Sequence, residues 1–161
     1  MQVKARVFPD KRSAMPVIAE PAMQISQIMS TKPVSVSLDD HLDVVKDIFD
    51  NAKFHHILVV DEGKLFGVIS DRDLLKAISP NIGTNRYTAR DLETLDQPVH
   101  RIVTRKPLTL TPDATVDDAV EIFNNNRISC IPIVDSEDVA VGIVSWRDIM
   151  KSFAALRREP A

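Results

Sequence analysis

The sequence has 161 residues but a single cysteine, Cys130, and no long apolar run. One cysteine excludes an internal disulfide, and without about 18 consecutive apolar residues no membrane-spanning helix is expected. The amino terminus lacks the apolar segment of a secretory signal, so we expect a cytoplasmic protein. Cys130 has no catalytic histidine signature and precedes an apolar run, which favours a packed thiol over a nucleophile.

An excess of one charge is also missing. The net charge of −3 results from 20 basic and 23 acidic residues, and neither sign forms a long block. Such a chain offers no evident surface for nucleic acid or a membrane. We find no nucleophile elbow, no phosphate-binding P-loop, no pair of catalytic carboxylates and no metal-ligand spacing. We therefore expect neither an enzyme nor a metal protein, and no cofactor for catalysis.

Glycine occurs four times, and two of these glycines, Gly67 and Gly142, begin copies of one motif. Residues 67–73 and 142–148 both read Gly-apolar-apolar-Ser-x-Arg-Asp, 75 positions apart, and residues 28–33 match residues 102–107. The chain is therefore a tandem repeat. We divide it into an N-terminal arm (1–23), repeat 1 (24–79), a linker (80–97), repeat 2 (98–155) and a C-terminal tail (156–161). The arm either wraps the core or is mobile.

Periodicity predicts the same β-α-β-β-α order in both repeats, and hence an α/β fold. In repeat 1 we expect a strand at 34–37, a helix at 42–49, a hairpin of strands at 57–61 and 66–69, and a helix at 70–78. The matching segments of repeat 2 are 108–111, 116–123, 131–135 with 141–144, and 145–153, and the linker contains a possible short helix at 89–95. Thr115 and Asp118 are typical of a capping box. Each repeat is small for a core of its own, so we expect the two to share one core.

The repeated motif ends in three polar residues, Ser70, Arg72 and Asp73 in repeat 1 and Ser145, Arg147 and Asp148 in repeat 2. The serine lies where a strand leads into a helix, and free N–H groups there favour an anion. An arginine in the first helical turn is unfavourable for the helix dipole unless an anion is bound, and the aspartate could accept both hydroxyls of a ribose. Alternatively, Ser-x-x-Asp is only a capping box and the arginine points to solvent.

These motifs, the opening Ile-Met-Ser-x-Lys-Pro, the strand Ile-Pro-Ile-Val-Asp at 131–135 and the β-α-β-β-α order together resemble the CBS domain, and two in tandem resemble a Bateman module. The resemblance implies a pseudo-two-fold pair that regulates without catalysing. It also implies a homodimer and an adenine-containing ligand (AMP, ADP, ATP, NAD or S-adenosylmethionine) in clefts between the repeats. The candidate binding residues that it implies are Thr31, Lys32, Pro33, Val34, His55, His56, Ser70, Arg72, Asp73, Arg105, Lys106, Pro107, Leu108, Ser129, Cys130, Ser145, Trp146, Arg147 and Asp148.

The two copies differ at positions that matter for binding. Leu58 replaces the proline found at Pro132, which restores a strand N–H. Asp71 stands where repeat 2 has Trp146, and an acid repels phosphate whereas an indole can cover a base. We expect the Trp146 side to be the better nucleotide site near neutral pH. The site with His55 and His56 is expected to gain affinity for nucleotide as the pH falls.

Two other functions stay open on the sequence. The repeats could bind no ligand and serve as a protein-interaction or dimerisation module. Short CBS pairs of this kind also resemble acetoin-utilisation proteins, which suggests a regulatory accessory of acetoin metabolism. His41 and His100 have no identifiable partners in the sequence, and we expect both at the surface.

Overall fold

The computed structural model describes residues 22–156, so the predicted arm and tail lie almost wholly outside the described residues. The α/β fold is confirmed: two sheets are present, one of four strands in the order β1-β2-β3-β4 and one of the two strands β5 and β6. No helix between residues 22 and 156 is long and apolar enough to cross a bilayer.

Repeat 1 has the predicted order of elements. They are β1 (Ser35–Ser37), α1 (Leu42–Asn51), β2 (His56–Asp61), β3 (Lys64–Ser70) and α2 (Asp71–Ala77). The β2–β3 hairpin turns at Glu62 and Gly63, whose φ angles of 48° and 80° lie in the left-handed region that a tight hairpin turn requires. Helix α2 begins directly after the strand because the Ser70 hydroxyl accepts a hydrogen bond from the Asp73 N–H.

Repeat 2 repeats this order with one exception. After the linker helix α3 (Ala89–Leu92) come β4 (Thr104–Arg105), α4 (Val116–Asn125), β5 (Cys130–Val134), β6 (Ala140–Ser145) and α5 (Trp146–Leu156). The predicted capping box of Thr115 and Asp118 is confirmed. The strand predicted at 108–111 is wrong, since only Leu110 pairs there, in one isolated parallel bridge to Ile133.

Proline explains the missing strand. In repeat 1 the Leu58 N–H donates to the Val34 carbonyl at 3.0 Å, which holds the start of β1 against β2. Pro132 occupies the matching position of repeat 2 and has no N–H, so this bond cannot form. Only the bonds at Leu110 remain, its N–H to the Pro132 carbonyl at 3.2 Å and its carbonyl to the Val134 N–H at 3.0 Å. The expected effect of Leu58 is therefore confirmed.

Each repeat begins with a segment that pairs with the sheet of the other repeat, so the repeats exchange these segments. We call them the opening segments; that of repeat 1 contains Ser30 and that of repeat 2 contains β4. Strand β4, which opens repeat 2, pairs antiparallel with Gly67 and Val68 of β3 in repeat 1. Reciprocally, Ser30 in the opening segment of repeat 1 exchanges two backbone hydrogen bonds with Ile143 of β6, at 2.9 and 3.0 Å. Each sheet therefore ends on a strand or bridge contributed by the other repeat.

The exchange also shapes the core, and the expectation of one shared core is corrected. Each repeat has its own apolar cluster, and each cluster includes a fully buried residue from the other repeat: Val99 lies in that of repeat 1 and Ile25 in that of repeat 2. A third, smaller cluster of Leu58, Val68 and Cys130 joins the two sheets. Two cores can be stable at this size because each repeat contributes a buried residue to the core of the other.

The linker is fastened through Asp91. Its carboxylate accepts hydrogen bonds from the Ser79 hydroxyl (2.6 Å), the Thr88 N–H (2.7 Å) and the Asn81 amide (3.2 Å). These bonds, that from Ser79 first, hold the pKa of Asp91 well below its usual range. The predicted linker helix is shorter than expected, because α3 ends at Leu92.

His41 has a partner that the sequence did not identify. It is exposed, as expected, but its Nδ1 lies 3.0 Å from a carboxylate oxygen of Asp96 in the linker. The pair joins the start of α1 to the end of the linker. Sequence separation hid this partner, since the two residues are 55 positions apart.

Candidate functional site

Three separate segments of repeat 1 meet at one edge of the four-stranded sheet. Because β1 and β2 are parallel and β3 is antiparallel to them, the first residues of β1 and β2 lie beside the last residue of β3. His56 is paired with Ser70, and the Asp71 N–H donates to the His55 carbonyl at 3.1 Å. Val34 is joined to β2 by the bond described above. The structure thus brings together Val34, both histidines and Ser70.

Repeat 2 assembles the same edge from fewer bonds. Cys130 is paired with Ser145, so the residues before β5 lie beside the start of α5. Leu108 lies 46% exposed, and Pro132 gives its carbonyl no hydrogen bond. The structure therefore brings together Cys130, Ser145 and Trp146, and leaves Leu108 less firmly placed than Val34.

Each motif forms a complete capping box. In repeat 1, Oδ2 of Asp73 accepts from the Ser70 hydroxyl at 2.6 Å and from the Ser70 N–H at 2.9 Å. In repeat 2, Oδ2 of Asp148 accepts from the Ser145 hydroxyl at 2.6 Å and from the Ser145 N–H at 2.8 Å. The capping interpretation is confirmed. It leaves open a second role, because these capping bonds use Oδ2 alone and a carboxylate has two acceptor oxygens.

The same geometry occurs where no ligand motif exists. At the start of α4, Oδ2 of Asp118 accepts from the Thr115 hydroxyl at 2.7 Å and from the Thr115 N–H at 2.8 Å. These bonds lower the pKa of the exposed Asp118 carboxyl. A capping box by itself therefore carries no functional information, and α4 provides a control for the motif helices.

The fold explains why both motifs begin with glycine. A Cβ on Gly67 would lie 2.4 Å from the Val103 Cγ2 and 2.5 Å from the Thr104 carbonyl oxygen. A Cβ on Gly142 would lie 2.7 Å from the Met29 Sδ and 2.9 Å from the Ser30 carbonyl oxygen. In both repeats this close approach is made by the opening segment of the other repeat.

Asp71 is paired with a histidine. Its Oδ2 lies 2.7 Å from the Nδ1 of His55, and both side chains are partly exposed. The sequence treated Asp71 as an isolated negative charge beside the phosphate position. The structure corrects this, because the His55 imidazole lies within hydrogen-bond distance of that carboxylate.

His56 contacts the other repeat. Its Nε2 lies 2.9 Å from the hydroxyl oxygen of Ser129. Burial lowers the pKa of His56 below its ordinary value of 6.5, against the opposing effect of the Asp71 and Asp73 carboxylates. His55 and Arg72 act in the same direction as burial. His56 is therefore neutral near pH 7.

Trp146 and Arg147 interact with each other at the start of α5. The Trp146 side chain is 51% exposed, and the Arg147 guanidinium lies 6.0 Å from the centre of its indole ring. A contact of this kind is a weak cation–π interaction. It gives Arg147 a structural partner, whereas Arg72 is exposed in the first turn of α2.

The two segments predicted to hold the adenine, 31–34 and 105–108, each lead from a contact with the other repeat to the sheet of their own repeat. Thr31 and Lys32 are exposed and follow Ser30, which is bonded to β6. The Arg105 guanidinium lies 5.4 Å from the centre of the Phe66 ring, and the Lys106 N–H donates to the Phe66 carbonyl at 3.4 Å. Each segment then reaches its own sheet through a half-buried proline, Pro33 or Pro107. Any cleft beside these segments therefore borders both repeats.

An open cleft of about 370 Å³ lies beside Asp148. Its wall consists of Met23, Gln27, Ile28, Asp148, Lys151, Ser152, Ala155 and Leu156. Sequence reasoning missed all of these except Asp148, because residues 23–28 belong to the opening of repeat 1 and the others to the outer turns of α5. The helical spacing of Asp148, Lys151 and Ser152 was the only available signal.

Cys130 is a packed thiol, as expected. It is 8% exposed, and burial raises its pKa to about 12. The thiol is therefore protonated at any physiological pH, which excludes thiolate chemistry. Among residues 22–156, no group of His, Cys, Asp and Glu side chains is arranged to hold a metal ion.

Comparison with known proteins accounts for both repeats. The sequence profile of the CBS domain matches residues 25–80 and again residues 99–155. The chain is 32% identical over 148 residues to inosine-5′-monophosphate dehydrogenase of Aquifex aeolicus. That match covers 91% of this chain but 27% of the enzyme, so most of the enzyme has no counterpart here.

Solved structures show the same architecture. The CBS domain pair of protein MJ0100, in complex with 5′-methylthioadenosine and S-adenosyl-L-methionine, is 27% identical with a TM-score of 0.68. The similarity covers 84% of this chain and 99% of that one. AcuB of Vibrio cholerae, named for acetoin utilization, is 22% identical with a TM-score of 0.69, covering 86% of this chain and 99% of that one.

Proposed function

Because this chain belongs to the CBS-domain family, we propose that it is a non-catalytic, cytoplasmic regulatory module. Its two repeats bind an adenine nucleotide or a related adenosyl ligand in clefts between them. The observation that carries the proposal is the open cleft of about 370 Å³ with Asp148 in its wall. Small-molecule sites commonly have about 300 to 1,000 Å³.

Asp148 can bind a ribose without giving up its capping role. Its capping bonds use Oδ2, so Oδ1 is available as an acceptor for a hydroxyl. Asp73 has the same arrangement in repeat 1. A carboxylate that is already held by a capping box has lost its rotamer freedom, so binding a diol orders little further.

The cleft matches an adenosyl ligand in its chemistry. Ile28 and Leu156 supply apolar surface for a base, while Lys151 and Gln27 supply donors for polar groups. The related MJ0100 pair was solved with two compounds that share an adenosine group. That common group supports the ligand class, with AMP, ADP, ATP, NAD and S-adenosylmethionine as the candidates.

We assign the binding residues to three roles. The aspartates of the motif bind ribose, with Ser70, Arg72, Ser145 and Arg147 beside them. At the start of the middle strands, His55, His56 and Ser129 face the phosphate or other 5′ group, with the buried Cys130 next to Ser129, and Trp146 covers the base in repeat 2. The opening segments hold the adenine through Thr31, Lys32, Pro33 and Val34 and through Arg105, Lys106, Pro107 and Leu108.

The ligand-free alternative needs clefts that are filled by protein side chains. The cleft beside Asp148 is open among the described residues, which favours ligand binding over a purely structural pair. The similarity to AcuB, at 22% identity, supports the fold alone. It adds nothing to the hypothesis of a role in acetoin metabolism.

A thermal-shift screen tests the proposed function. One of the five adenosyl compounds, at ten times its dissociation constant, should stabilise the protein by about 1.4 kcal/mol, because it binds only the folded state. The doubly substituted variant Asp73→Ala/Asp148→Ala is the control and should be stabilised by no more than about 0.4 kcal/mol at the same ligand concentration. If none of the five shifts the wild-type transition, the proposed function is wrong.

We also propose an isologous homodimer. The sequence predicts an apolar helical stripe of nine residues: Leu42, Val45, Phe49, Leu74, Val116, Phe123, Ile149, Met150 and Phe153. Five of them are buried within one pair of repeats (Leu42, Val45, Leu74, Val116 and Ile149). Met150 and Phe153 are 58% and 47% exposed, and Leu156, one turn further along α5, is 52% exposed.

The exposed apolar face of α5 consists of few residues, so one substitution can test its contribution to dimerisation. Sedimentation velocity at micromolar concentration should show a dimer, and the substitution Phe153→Ser should shift it towards monomer while the fold is retained. Val139→Ser, at a separate exposed apolar residue, is the control. A wild-type monomer under these conditions contradicts the dimer.

A further inference from the structure

One hydrogen bond joins the two proposed sites directly. The Nε2 of His56, at the start of β2, lies 2.9 Å from the hydroxyl oxygen of Ser129, just before β5. Under the proposed function, each of these residues faces the 5′ group of the ligand in its own repeat. Two groups that ligands would use are therefore bonded to each other.

The bond and a ligand compete for His56. Burial keeps the imidazole neutral near pH 7, and each nitrogen of a neutral imidazole forms one hydrogen bond, as donor or as acceptor. Nε2 can therefore bind Ser129 or a ligand oxygen, but not both. Ser129 is exposed, so its hydroxyl can turn to water or to a ligand once His56 has moved away.

The contact can break without separating the repeats. The buried cluster of Leu58, Val68 and Cys130 holds the two sheets together independently of it. At the far end of the sheets, the Leu65 N–H donates to the Asp138 carbonyl at 2.9 Å. The bond between His56 and Ser129 is thus a local element with two states, formed or broken, on a fixed frame.

We propose that the bond between His56 and Ser129 couples the two sites positively, an inference that rests on the proposed function. The first ligand has to break the bond, and the second ligand binds without having to break it. The affinity of the second site therefore rises by the equilibrium constant of that bond. For a neutral hydrogen bond of ordinary strength, this is about two- to tenfold.

The test uses AMP as the probe and isothermal titration calorimetry as the measurement. Asp148→Ala weakens the site of repeat 2, so that binding at repeat 1 can be measured separately from it. Adding Ser129→Ala should raise the affinity of repeat 1 for AMP by about two- to tenfold, although the deleted hydroxyl belongs to repeat 2. Ser129→Thr keeps the hydroxyl and should leave that affinity at its Asp148→Ala value. Ser26→Ala, at another exposed serine, is the matched control.

The possible outcomes separate the coupling from the function. If AMP binds repeat 1 and Ser129→Ala leaves its affinity unchanged or lowers it, the coupling is wrong and the proposed function stands. If AMP binds neither site of the wild-type protein, the coupling is wrong as well, and the screen of the other ligands decides the function. Nitrogen-15 NMR of the ligand-free protein checks the contact itself, because Ser129→Ala should shift the Nε2 resonance of His56. An unchanged resonance also overturns the proposal.

Discussion

The substitution Gly67→Ala is expected to destabilise the protein by about 3 kcal/mol. The new Cβ would lie 2.4 Å from the Val103 Cγ2 and 2.5 Å from the Thr104 carbonyl oxygen. The Thr104 backbone cannot move away easily, because β4 is paired with β3 at Gly67 and Val68. Either the strand separates or the exchange of opening segments is lost. Urea unfolding followed by circular dichroism measures the free energy.

Two other glycines provide matched controls. Gly142→Ala should cost about 1 to 2 kcal/mol, because its nearest contact is the flexible side chain of Met29 at 2.7 Å, although the Ser30 carbonyl lies at 2.9 Å. Gly63→Ala meets no atom within 4 Å but must adopt a φ of 80°, so about 1 kcal/mol of backbone strain is expected. The steric explanation is contradicted if Gly67→Ala and Gly142→Ala lose equal free energies of unfolding. It is also contradicted if Gly67→Ala loses less than Gly63→Ala.

The substitution Asp148→Ala is expected to weaken adenosyl-ligand binding at repeat 2 by about 1.5 to 3 kcal/mol, roughly 10- to 150-fold. This is the usual contribution of hydrogen bonds to a charged acceptor. Asp73→Ala should have an effect of the same size at repeat 1, where Asp73 forms the same capping bonds. Titration calorimetry with the best ligand of the screen measures both.

Both variants also lose a capping box, and Asp118→Ala separates the two effects. Asp118 caps α4 through the same oxygen and at nearly the same distances as Asp148 caps α5. All three alanine variants should lose about 0.5 to 2 kcal/mol of folding free energy without ligand. Only Asp73→Ala and Asp148→Ala should lose affinity. If Asp118→Ala weakens binding as much, the loss comes from helix destabilisation, and the ribose role is wrong.

The pairing of Asp71 with His55 changes the reason for expecting unequal sites. The sequence predicts weaker nucleotide binding in repeat 1 because of an isolated acid, whereas the structure places His55 Nδ1 at 2.7 Å from that acid. Trp146 remains a difference between the sites, because its exposed indole has no counterpart in repeat 1. That the Trp146 side binds nucleotide better near neutral pH stays a prediction.

Local order could be predicted from the sequence because its causes are local. The helical spacing of Leu42 and Val45 places both on the buried face of α1. Thr115 and Asp118 determine where α4 begins, since both partners of a capping box lie within four residues. The β-α-β-β-α order follows from such short-range signals. The prediction of a strand at 108–111 was wrong because the cause of its absence is not local: the missing N–H belongs to Pro132 in the neighbouring strand β5.

The relation between the repeats was decided only by the tertiary structure. The sequence places a glycine at the start of each motif, but only the fold shows that the backbone of Thr104 lies against Gly67. Likewise, no sequence pattern pairs His56 with Ser129, 73 positions away. Periodicity records which face of an element is buried, whereas it does not record which distant segment covers that face. The motif residues are therefore evident from the sequence, whereas the cleft beside Asp148 arises from the exchange of opening segments between two similar repeats.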